Sequence, residues 1–307
     1  MNTQSNAVPG SFDSPRSAPL AMSATQPLYW SVRRELWENR SIYLAPLAVA
    51  ALILFAFLIS ATAGIWERAL RLDPAQHPDK LAEPYMFAAY LLMGTTLVVA
   101  IFYCLDALHG ERRDRSILFW KSLPVSDLTT VLSKASIPLL VLPLLTFAFT
   151  IATQWIMLLL SSAVLLASGQ SPATLWTQLP FIQMSMLLLY HLLAVHSLWY
   201  APMFAWLLLV SAWARRATFL WAFLPLAGIG IIEKIAFNST HFAHMLGNRI
   251  SGGGAEAVIM PGGSPMDSMT HLTPGHFLIS PGLWIGLAIA TAFLAAAVRL
   301  RRYQGPI

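Results

Sequence analysis

The chain has 307 residues, of which 57% are hydrophobic and only 11% are charged, and its formal net charge is +5. Soluble domains usually carry about 25% charged residues, so this composition excludes a water-soluble globular protein and indicates a polytopic membrane protein. No run of Lys and Arg has the aromatic interleaving of a nucleic-acid surface, and no nucleic-acid partner is expected.

The N-terminal segment, residues 1–27, is rich in Ser, Ala, Pro and Thr. It lacks the basic start and the continuous apolar core of a signal peptide, so it is predicted to be a disordered cytosolic tail. The next stretch, LYWSVRRELWENR at residues 28–40, combines bulky apolar and charged residues and is amphipathic.

Charge-free intervals predict where the chain crosses the membrane, because a hydrocarbon core about 30 Å thick needs roughly 20 residues of helix. The longest interval, residues 135–214, contains no Asp, Glu, Lys or Arg, and the turn signals Gly169, Pro172 and Pro180 divide it into two spans. Six spans are therefore predicted, at residues 41–66, 84–105, 136–166, 182–212, 217–237 and 281–298.

Six spans place both termini on the same side of the membrane, with a short tail at residues 303–307. The loop at residues 106–134 lies on that side, and a long segment at residues 238–280 lies on the other. Of the 19 Lys and Arg residues, fourteen fall on the side of the termini and five on the other. The positive-inside rule therefore predicts cytosolic termini.

The cytosolic loop contains the stretch GERRDRSILFWKSLPVSD, residues 110–127, which carries seven charged residues in eighteen positions. Residues 116–121 are predicted to form a short helix with an exposed aromatic face, which Pro124 ends because proline disfavours helix at the preceding residue. Ser126 is predicted to cap a new helix, with Asp127 in its first turn.

Two interpretations of the short helix remain open from the residues alone. It is either an interfacial helix on lipid, with Arg113, Arg115 and Lys121 at the headgroups, or a protein-docking surface anchored by Phe119 and Trp120. Further along, Pro138 and Pro143 predict a kink in the third span.

The stretch ERRDRSILFWKSLPVSDLTTVLSK, residues 111–134, resembles the first cytosolic loop of type-2 ABC exporter permeases. Those loops have an acidic–basic pair, a small residue, a leucine, a Pro-Val-Ser-like turn and a lysine that enters the next span. The matching positions are Glu111, Arg112, Ser116, Leu118, Pro124, Val125, Ser126 and Lys134. The six-span order also matches, and residues 28–40 resemble the family's interfacial elbow helix, so the resemblance covers residues 28–302.

In that family the loop is a coupling helix that docks on a separate ATPase, and two permeases with two ATPases form the exporter. The resemblance implies that this chain is the permease subunit of an exporter in the bacterial inner membrane. Its partners would be a P-loop ATPase, a second copy or a second permease, and membrane lipid. The coupling role is implied for Glu111, Arg112, Arg113, Ser116, Leu118, Phe119, Trp120, Pro124, Ser126 and Asp127.

The chain contains no G-x-x-x-x-G-K-[ST] sequence, the motif that cradles nucleotide phosphates. ATP hydrolysis is therefore expected on the partner. No catalytic residue, cofactor or metal ligand is assigned to this chain.

Polar residues in the third and fourth spans are candidates for the translocation path. They are Thr153, Gln154, Gln183, Tyr190, His191 and His196. The alternative function is a membrane redox or sensor subunit that holds haem or a metal through His191 and His196. On an α-helix their spacing of five separates them by about 140°, so they are not expected to converge on one ligand.

Overall fold

The computed structural model describes residues 25–62, 78–122, 125–251 and 274–305, and all regular secondary structure within these ranges is helical. The α-helices are α1 (Thr25–Glu38), α2 (Ser41–Thr62), α3 (Pro78–Ala107), α4 (His109–Arg113), α5 (Ile117–Ser122), α6 (Asp127–Ser136), α7 (Leu142–Ala167), α8 (Ala173–Gln178), α9 (Phe181–His191), α10 (Ala201–Trp213), α11 (Thr218–Phe237), α12 (His241–Ile250), α13 (Pro274–Ile279) and α14 (Pro281–Tyr303). Two π-helical segments, π1 (Ile137–Val141) and π2 (Leu192–Trp199), precede α7 and α10.

Among the described residues, six helical stretches are long and apolar enough to cross a membrane, which confirms the predicted number of candidate spans. They cover Ser41–Ala61, Ala82–Arg113, Asp127–Ala167, Phe181–Trp199, Thr218–Phe237 and Pro281–Tyr303. Large apolar side chains lie on their outer surface, and Phe55, Phe87 and Ile182 are each more than half exposed. Soluble monomers rarely expose extensive apolar surface, so this is the architecture of a multi-pass membrane protein.

The third span is interrupted where its prolines lie. Pro138 is part of π1, and Pro143 lies in the first turn of α7. Proline lacks the N–H that the α-helical ladder needs, and its ring displaces the carbonyl four residues earlier. The departure from regular α-helix therefore falls where the sequence predicts a kink.

The fourth span differs from the continuous helix predicted over residues 182–212. α9 passes into π2, and Tyr200 then separates π2 from α10. Pro202 lies in the first turn of α10, where its missing N–H requires no partner. The chain therefore crosses this region as two helical pieces with a change of backbone geometry between them.

Helix packing brings several polar segments to one end of the bundle. α1 packs on α6, α4 contacts α10, and α6 contacts α14. We call this end, with α1, α4, α5, the start of α6 and the end of α14, the charged end. Among the described helices, α10 and α14 pack against each other extensively, and Ala201 and Ala205 contact Ala290 there. These small side chains let the two backbones approach closely.

The other end of the bundle carries α12 and the start of α14, and we call it the opposite end. α12 and α13 flank residues 252–273 of the predicted segment 238–280, and those residues lie outside the described part of the chain. α11, which leads to α12, has Ala222 as its one buried residue. Most of the apolar surface of α11 is therefore uncovered by the other described residues.

Candidate functional site

The predicted helix cap after the charged loop is confirmed. Ser126 has an extended backbone (φ −70°, ψ 149°), and its Oγ accepts a hydrogen bond from the Thr129 N–H at 3.0 Å. Asp127 follows in the first turn of α6, where the helix dipole favours a carboxylate. Seven residues correspond to about two turns of helix, so Lys134 lies on the same face of α6 as Asp127.

Lys134 lies between two buried carboxylates. Its Nζ is 2.8 Å from Glu35 Oε1 and 3.1 Å from Glu111 Oε1. Arg34 contacts the same pair, with Nη2 2.8 Å from Glu35 and 3.3 Å from Glu111. The amphipathic helix α1 is thereby joined to α4 in the loop and to α6 at the start of the third span.

Arg301 brings the last span into the same group. Its Nη1 pairs with Glu111 Oε2, and its Nε lies 3.2 Å from Asp127 Oδ1. We call the whole group the charge cluster. It consists of Arg34, Glu35, Glu111, Asp127, Lys134 and Arg301. Its three cations and three carboxylates balance, so the cluster has no formal net charge.

Four members of the charge cluster are almost completely buried. Glu35 is 0% exposed, Lys134 2%, Arg301 5% and Glu111 8%. Moving an ion out of water costs several kcal/mol, and the cost is offset because Glu35 and Glu111 each face more than one cation. Tyr103 of α3 adds a hydrogen bond from its hydroxyl to Glu35 Oε2 at 2.9 Å. Loss of one member therefore leaves a buried charge uncompensated.

Two carboxylates of α1 differ in how their surroundings shift the pKa. Burial by itself raises the pKa of Glu35, but the Lys134 ammonium and the Arg34 guanidinium outweigh it, so the pKa falls below the ordinary value of 4.5. For Glu38, which lies 3.6 Å from Arg34, desolvation dominates and raises the pKa. The charge cluster therefore favours the ionised form of Glu35, whereas folding disfavours that of Glu38.

Arg112, one of the implied coupling residues, is buried. Its Nη1 donates to the carbonyl oxygens of Ala212 at 2.6 Å and Ala214 at 3.3 Å, and its Nε donates to that of Gly305 at 3.4 Å. Glu111 and Arg112 together tie the loop to the end of α10, to α14 and to the residues that follow α14.

The exposed large apolar side chains of α5 are Leu118 and Phe119, each 59% exposed. Phe119 packs edge-to-face on Trp120, with ring centroids 4.9 Å apart. Trp120 is half-buried, since the Arg34 guanidinium lies 3.8 Å from its ring centroid, which is cation–π geometry. The predicted short helix is confirmed, and Trp120 connects it to the charge cluster.

The remaining implied coupling residues lie around this helix. Arg113 and Ser126 are exposed, and Arg113 pairs with Asp114 at 3.1 Å. Ser116 is half-buried, and its Oγ donates to the Glu111 carbonyl at 3.4 Å. Pro124 lies outside the described residues.

The candidate path residues of the third span are buried and already partly hydrogen-bonded. The Thr153 hydroxyl donates to the Phe149 carbonyl at 2.7 Å, and Gln154 Nε2 donates to the Tyr85 carbonyl at 3.0 Å. Gln154 also lines a small cleft that includes Met184 of the fourth span.

Two candidate path residues of the fourth span do not line the cleft beside Gln154. Gln183 and Tyr190 are half-buried on α9. Tyr190 packs against Phe277 of α13, with ring centroids 6.5 Å apart. The six candidates are therefore distributed over several sites rather than one continuous group.

The prediction that the two span-four histidines do not converge on one ligand stays a prediction, although their rings are neighbours. The rings of His191 and His196 lie with their centroids 6.1 Å apart. His196 belongs to π2, whose hydrogen bonds connect residues five apart, as in the bond from Tyr200 N to Val195 O at 3.0 Å. A π-helical turn contains more residues than an α-helical turn, so residues five apart point in more similar directions than on the α-helix that the predicted angle assumed.

Within the described ranges, no group of three or more His, Cys, Asp and Glu side chains is placed to hold a metal ion. In this part of the chain, the candidate ligands for the redox or sensor alternative are His191 and His196, whose rings are neighbours. Cys104 is buried in the bundle and makes no disulfide.

Comparisons of the chain with protein-family models, with curated proteins and with solved structures find no match. The class that the described residues define is a helical, multi-pass membrane architecture with a buried charge cluster at one end.

Sequence reasoning assigned Glu111 and Asp127 to the loop but missed their partners. In the sequence, Glu35 is one residue of the amphipathic stretch 28–40. Arg34 and Arg301 indicate only which side of the membrane their segments face. One feature of α6 does indicate that Lys134 has a buried partner. Lys134 lies one turn from the fully buried Val131, and a charge on an apolar helix face indicates a buried partner.

Proposed function

We propose that the chain is the membrane-spanning permease subunit of an ATP-driven exporter of the type-2 ABC class. It forms the translocation path and couples to a separate P-loop ATPase through residues 111–127. The observation that carries the proposal is the exposed pair Leu118 and Phe119 on a short helix fixed to a buried charge cluster.

A series of side-chain contacts connects α5 to the transmembrane bundle. Trp120 stacks with Arg34, and Arg34 contacts Glu111. Glu111 in turn contacts Lys134 at the start of the third span and Arg301 at the end of the sixth. Because these charges compensate each other, displacement of α5 by a partner would move both spans together. Glu111 and Arg112 then act by transmission, and Leu118 and Phe119 act by contact.

The orientation proposed is the one that the loop charges predict, with the charged end in the cytosol of a bacterial cell and the chain in the inner membrane. Such an exporter pairs two permeases. α11 offers apolar surface that the other described residues do not cover, which suits lipid or a second permease, either identical or related.

Topology is tested with single cysteines in a chain whose Cys104 is replaced by serine. Ser122 and Ser251 are both exposed, one at each end of the bundle. A cysteine at Ser251 should react with a membrane-impermeant reagent in intact cells, and one at Ser122 only after lysis. The reverse pattern would overturn the proposed orientation.

Docking is tested by replacing Phe119 with alanine and measuring binding of the cognate ATPase. Aromatic anchors at interfaces are commonly worth about 2 kcal/mol or more, so the affinity should fall by about 30-fold. Membrane insertion should be unchanged, since no span and no loop charge is altered. Trp120 is left intact because its contact with Arg34 would confuse loss of docking with damage to the charge cluster.

Trp37→Ala is the matched control. Trp37 is an exposed aromatic residue on α1, at the same end of the bundle, and it stacks with Arg33. Its loss should leave ATPase binding within about twofold of the parent, because it lies outside the proposed contact. If Phe119→Ala and Trp37→Ala both retain binding, α5 is a membrane-surface helix and the coupling role is rejected.

The second candidate function is a redox or sensor subunit, favoured by the proximity of His191 and His196. A purified chain with a visible absorption band that disappears in His196→Leu would support it. Copurification of an ATPase with a colourless chain would support the exporter.

A further inference from the structure

A row of polar side chains runs along the face of α7 that packs on α3. Thr146 and Thr96 join their hydroxyls at 2.6 Å. Two turns further along α7, Gln154 Nε2 donates to the Tyr85 carbonyl at 3.0 Å. Ser161 then lies 3.3 Å from the Tyr85 hydroxyl. In an apolar surrounding, such contacts hold two helices in one register.

Two buried atoms in this row have no hydrogen-bond partner among the described residues. They are Oε1 of Gln154 and Oγ1 of Thr150, whose side chains are 2% and 0% exposed. Thr150 differs in this from Thr146 and Thr153, whose hydroxyls each donate to the carbonyl four residues earlier. Buried polar atoms are normally hydrogen-bonded, so an unpaired donor and acceptor one turn apart require an explanation.

Gln154 lines the cleft described above, between α3, α7 and α9. Three methionines form much of its wall, Met86 and Met93 from α3 and Met184 from α9, and no charged residue lines it. The free space is about 20 Å³, which is sufficient for one water-sized group. Methionine side chains are unbranched and flexible, so the wall adapts to a longer apolar occupant more easily than branched side chains would.

We infer that this cleft binds a neutral amphipathic molecule, with an uncharged hydrogen-bonding group at Gln154 and an apolar chain along the methionines. Gln154 Oε1 accepts from a ligand hydroxyl or amide N–H. Thr150, one turn away, does not line the free space, so a ligand reaches its hydroxyl only by displacing part of the wall. A charged headgroup is excluded, since a buried ion without a counter-charge is too costly. As a statement about exported cargo the inference rests on the proposed function, whereas the binding itself does not.

The test uses the full chain, purified in phosphatidylcholine nanodiscs without an ATPase. The probe is a monoacylglycerol with a photoreactive diazirine in its acyl chain, competed by unlabelled monooleoylglycerol or by oleate. Labelling should map to α3, α7 and α9, and monooleoylglycerol should compete at concentrations about tenfold lower than oleate. Equal competition by both lipids would overturn the assignment of an uncharged headgroup.

Matched variants separate the cleft from general lipid contact. Gln154→Leu should reduce the competed labelling about tenfold, the effect of one lost hydrogen bond to a buried group. Gln170→Leu, the same change at an exposed position outside the cleft, should leave it near the parent value. Met184→Trp, which fills the cleft, should abolish labelling, and Met186→Trp on the exposed face of the same helix should not. Labelling that survives both Gln154→Leu and Met184→Trp would refute the site.

Thr150→Val distinguishes the loss of a ligand contact from misfolding of the variant. It removes an unpartnered hydroxyl at nearly constant shape, so the melting temperature without probe should be unchanged or higher, while labelling falls. Thr146→Val breaks the bond to Thr96 and should lower the melting temperature instead. A lowered melting temperature for Thr150→Val would show that its hydroxyl is already satisfied and would overturn its part in the site. Loss of ATPase docking with intact labelling would reject the exporter and leave the binding site standing.

Discussion

The charged end and the opposite end of the bundle hold their ions by different means. At the charged end, three cations and three carboxylates from four helices compensate each other. At the opposite end, Arg249 of α12 donates to the Gly282 carbonyl at 3.1 Å, and its guanidinium lies 4.1 Å from the ring centroid of Trp199. The first arrangement depends on opposite charges, and the second depends on the backbone and on an aromatic face.

Glu233 shows the same reliance on the backbone at the opposite end. Its carboxylate accepts hydrogen bonds from the N–H groups of His241 and Phe242, at 2.7 and 2.9 Å, and from the Ser239 hydroxyl at 2.7 Å. It therefore satisfies free N–H groups in the first turn of α12.

The two ends of the bundle are expected to respond differently to the loss of one residue. A mutually compensating group of buried ions fails as a unit, because each member is needed to neutralise the others. An ion held by carbonyls, N–H groups and a ring leaves only neutral groups behind when it is removed. The charged end is therefore suited to transmit a displacement, and the opposite end to adjust locally.

Lys134→Met is expected to have the largest effect. It leaves Glu35 and Glu111 buried with fewer cations, and breaking a buried ion pair in this way costs about 3–5 kcal/mol. Unfolding by SDS in mixed micelles should show the loss. Lys121→Met is the control, since Lys121 is exposed and donates only to the carbonyls of Arg302 and Gln304. Equal losses for both variants would contradict a special role for the charge cluster.

Gly286→Ala should have an intermediate effect at the opposite end. A Cβ at Gly286 would overlap the Arg249 guanidinium, which is the end of a flexible side chain and can move away, so the cost is about 0.5–1 kcal/mol for the lost contact with Trp199. Gly282→Ala is the matched control, because its Cβ would meet Trp199 at an ordinary 3.6 Å. The melting temperatures of both variants test this prediction. An unchanged melting temperature for Gly286→Ala would show that Arg249 can leave Trp199 freely.

The smallest expected effect is on the pH dependence of stability. The folded pKa of Glu35 is lowered by its cations, so its contribution is present above pH 4.5 and is lost as the pH falls through the folded pKa. The folded pKa of Glu38 is raised by desolvation, so its contribution has the opposite sign and is lost as the pH rises through that value. Unfolding midpoints between pH 7 and pH 3 should fall less steeply for Glu35→Gln and more steeply for Glu38→Gln. Parallel curves for the parent and both variants would argue against the assigned pKa directions.

Several elements of the fold were predictable because they depend on nearby residues. The six candidate spans follow from charge-free intervals, the Ser126 cap follows from a side chain that reaches its own helix, and the π1 irregularity follows from Pro138. The coupling, cargo and partner assignments remain proposals. The His191–His196 proximity was missed, because the choice of π over α geometry is made by the packing of a whole segment.

Composition and hydropathy were enough to predict a membrane protein, the number of candidate spans and the position of the charged loop. These properties depend on composition and hydropathy over about 20 residues. Only the tertiary structure decided which charges pair, because Lys134 lies 99 residues from Glu35 and Arg301 lies 190 residues from Glu111. Pairing over such separations is set by how α1, α4, α6 and α14 pack, and the cost of burying an ion then allows only arrangements in which opposite charges meet.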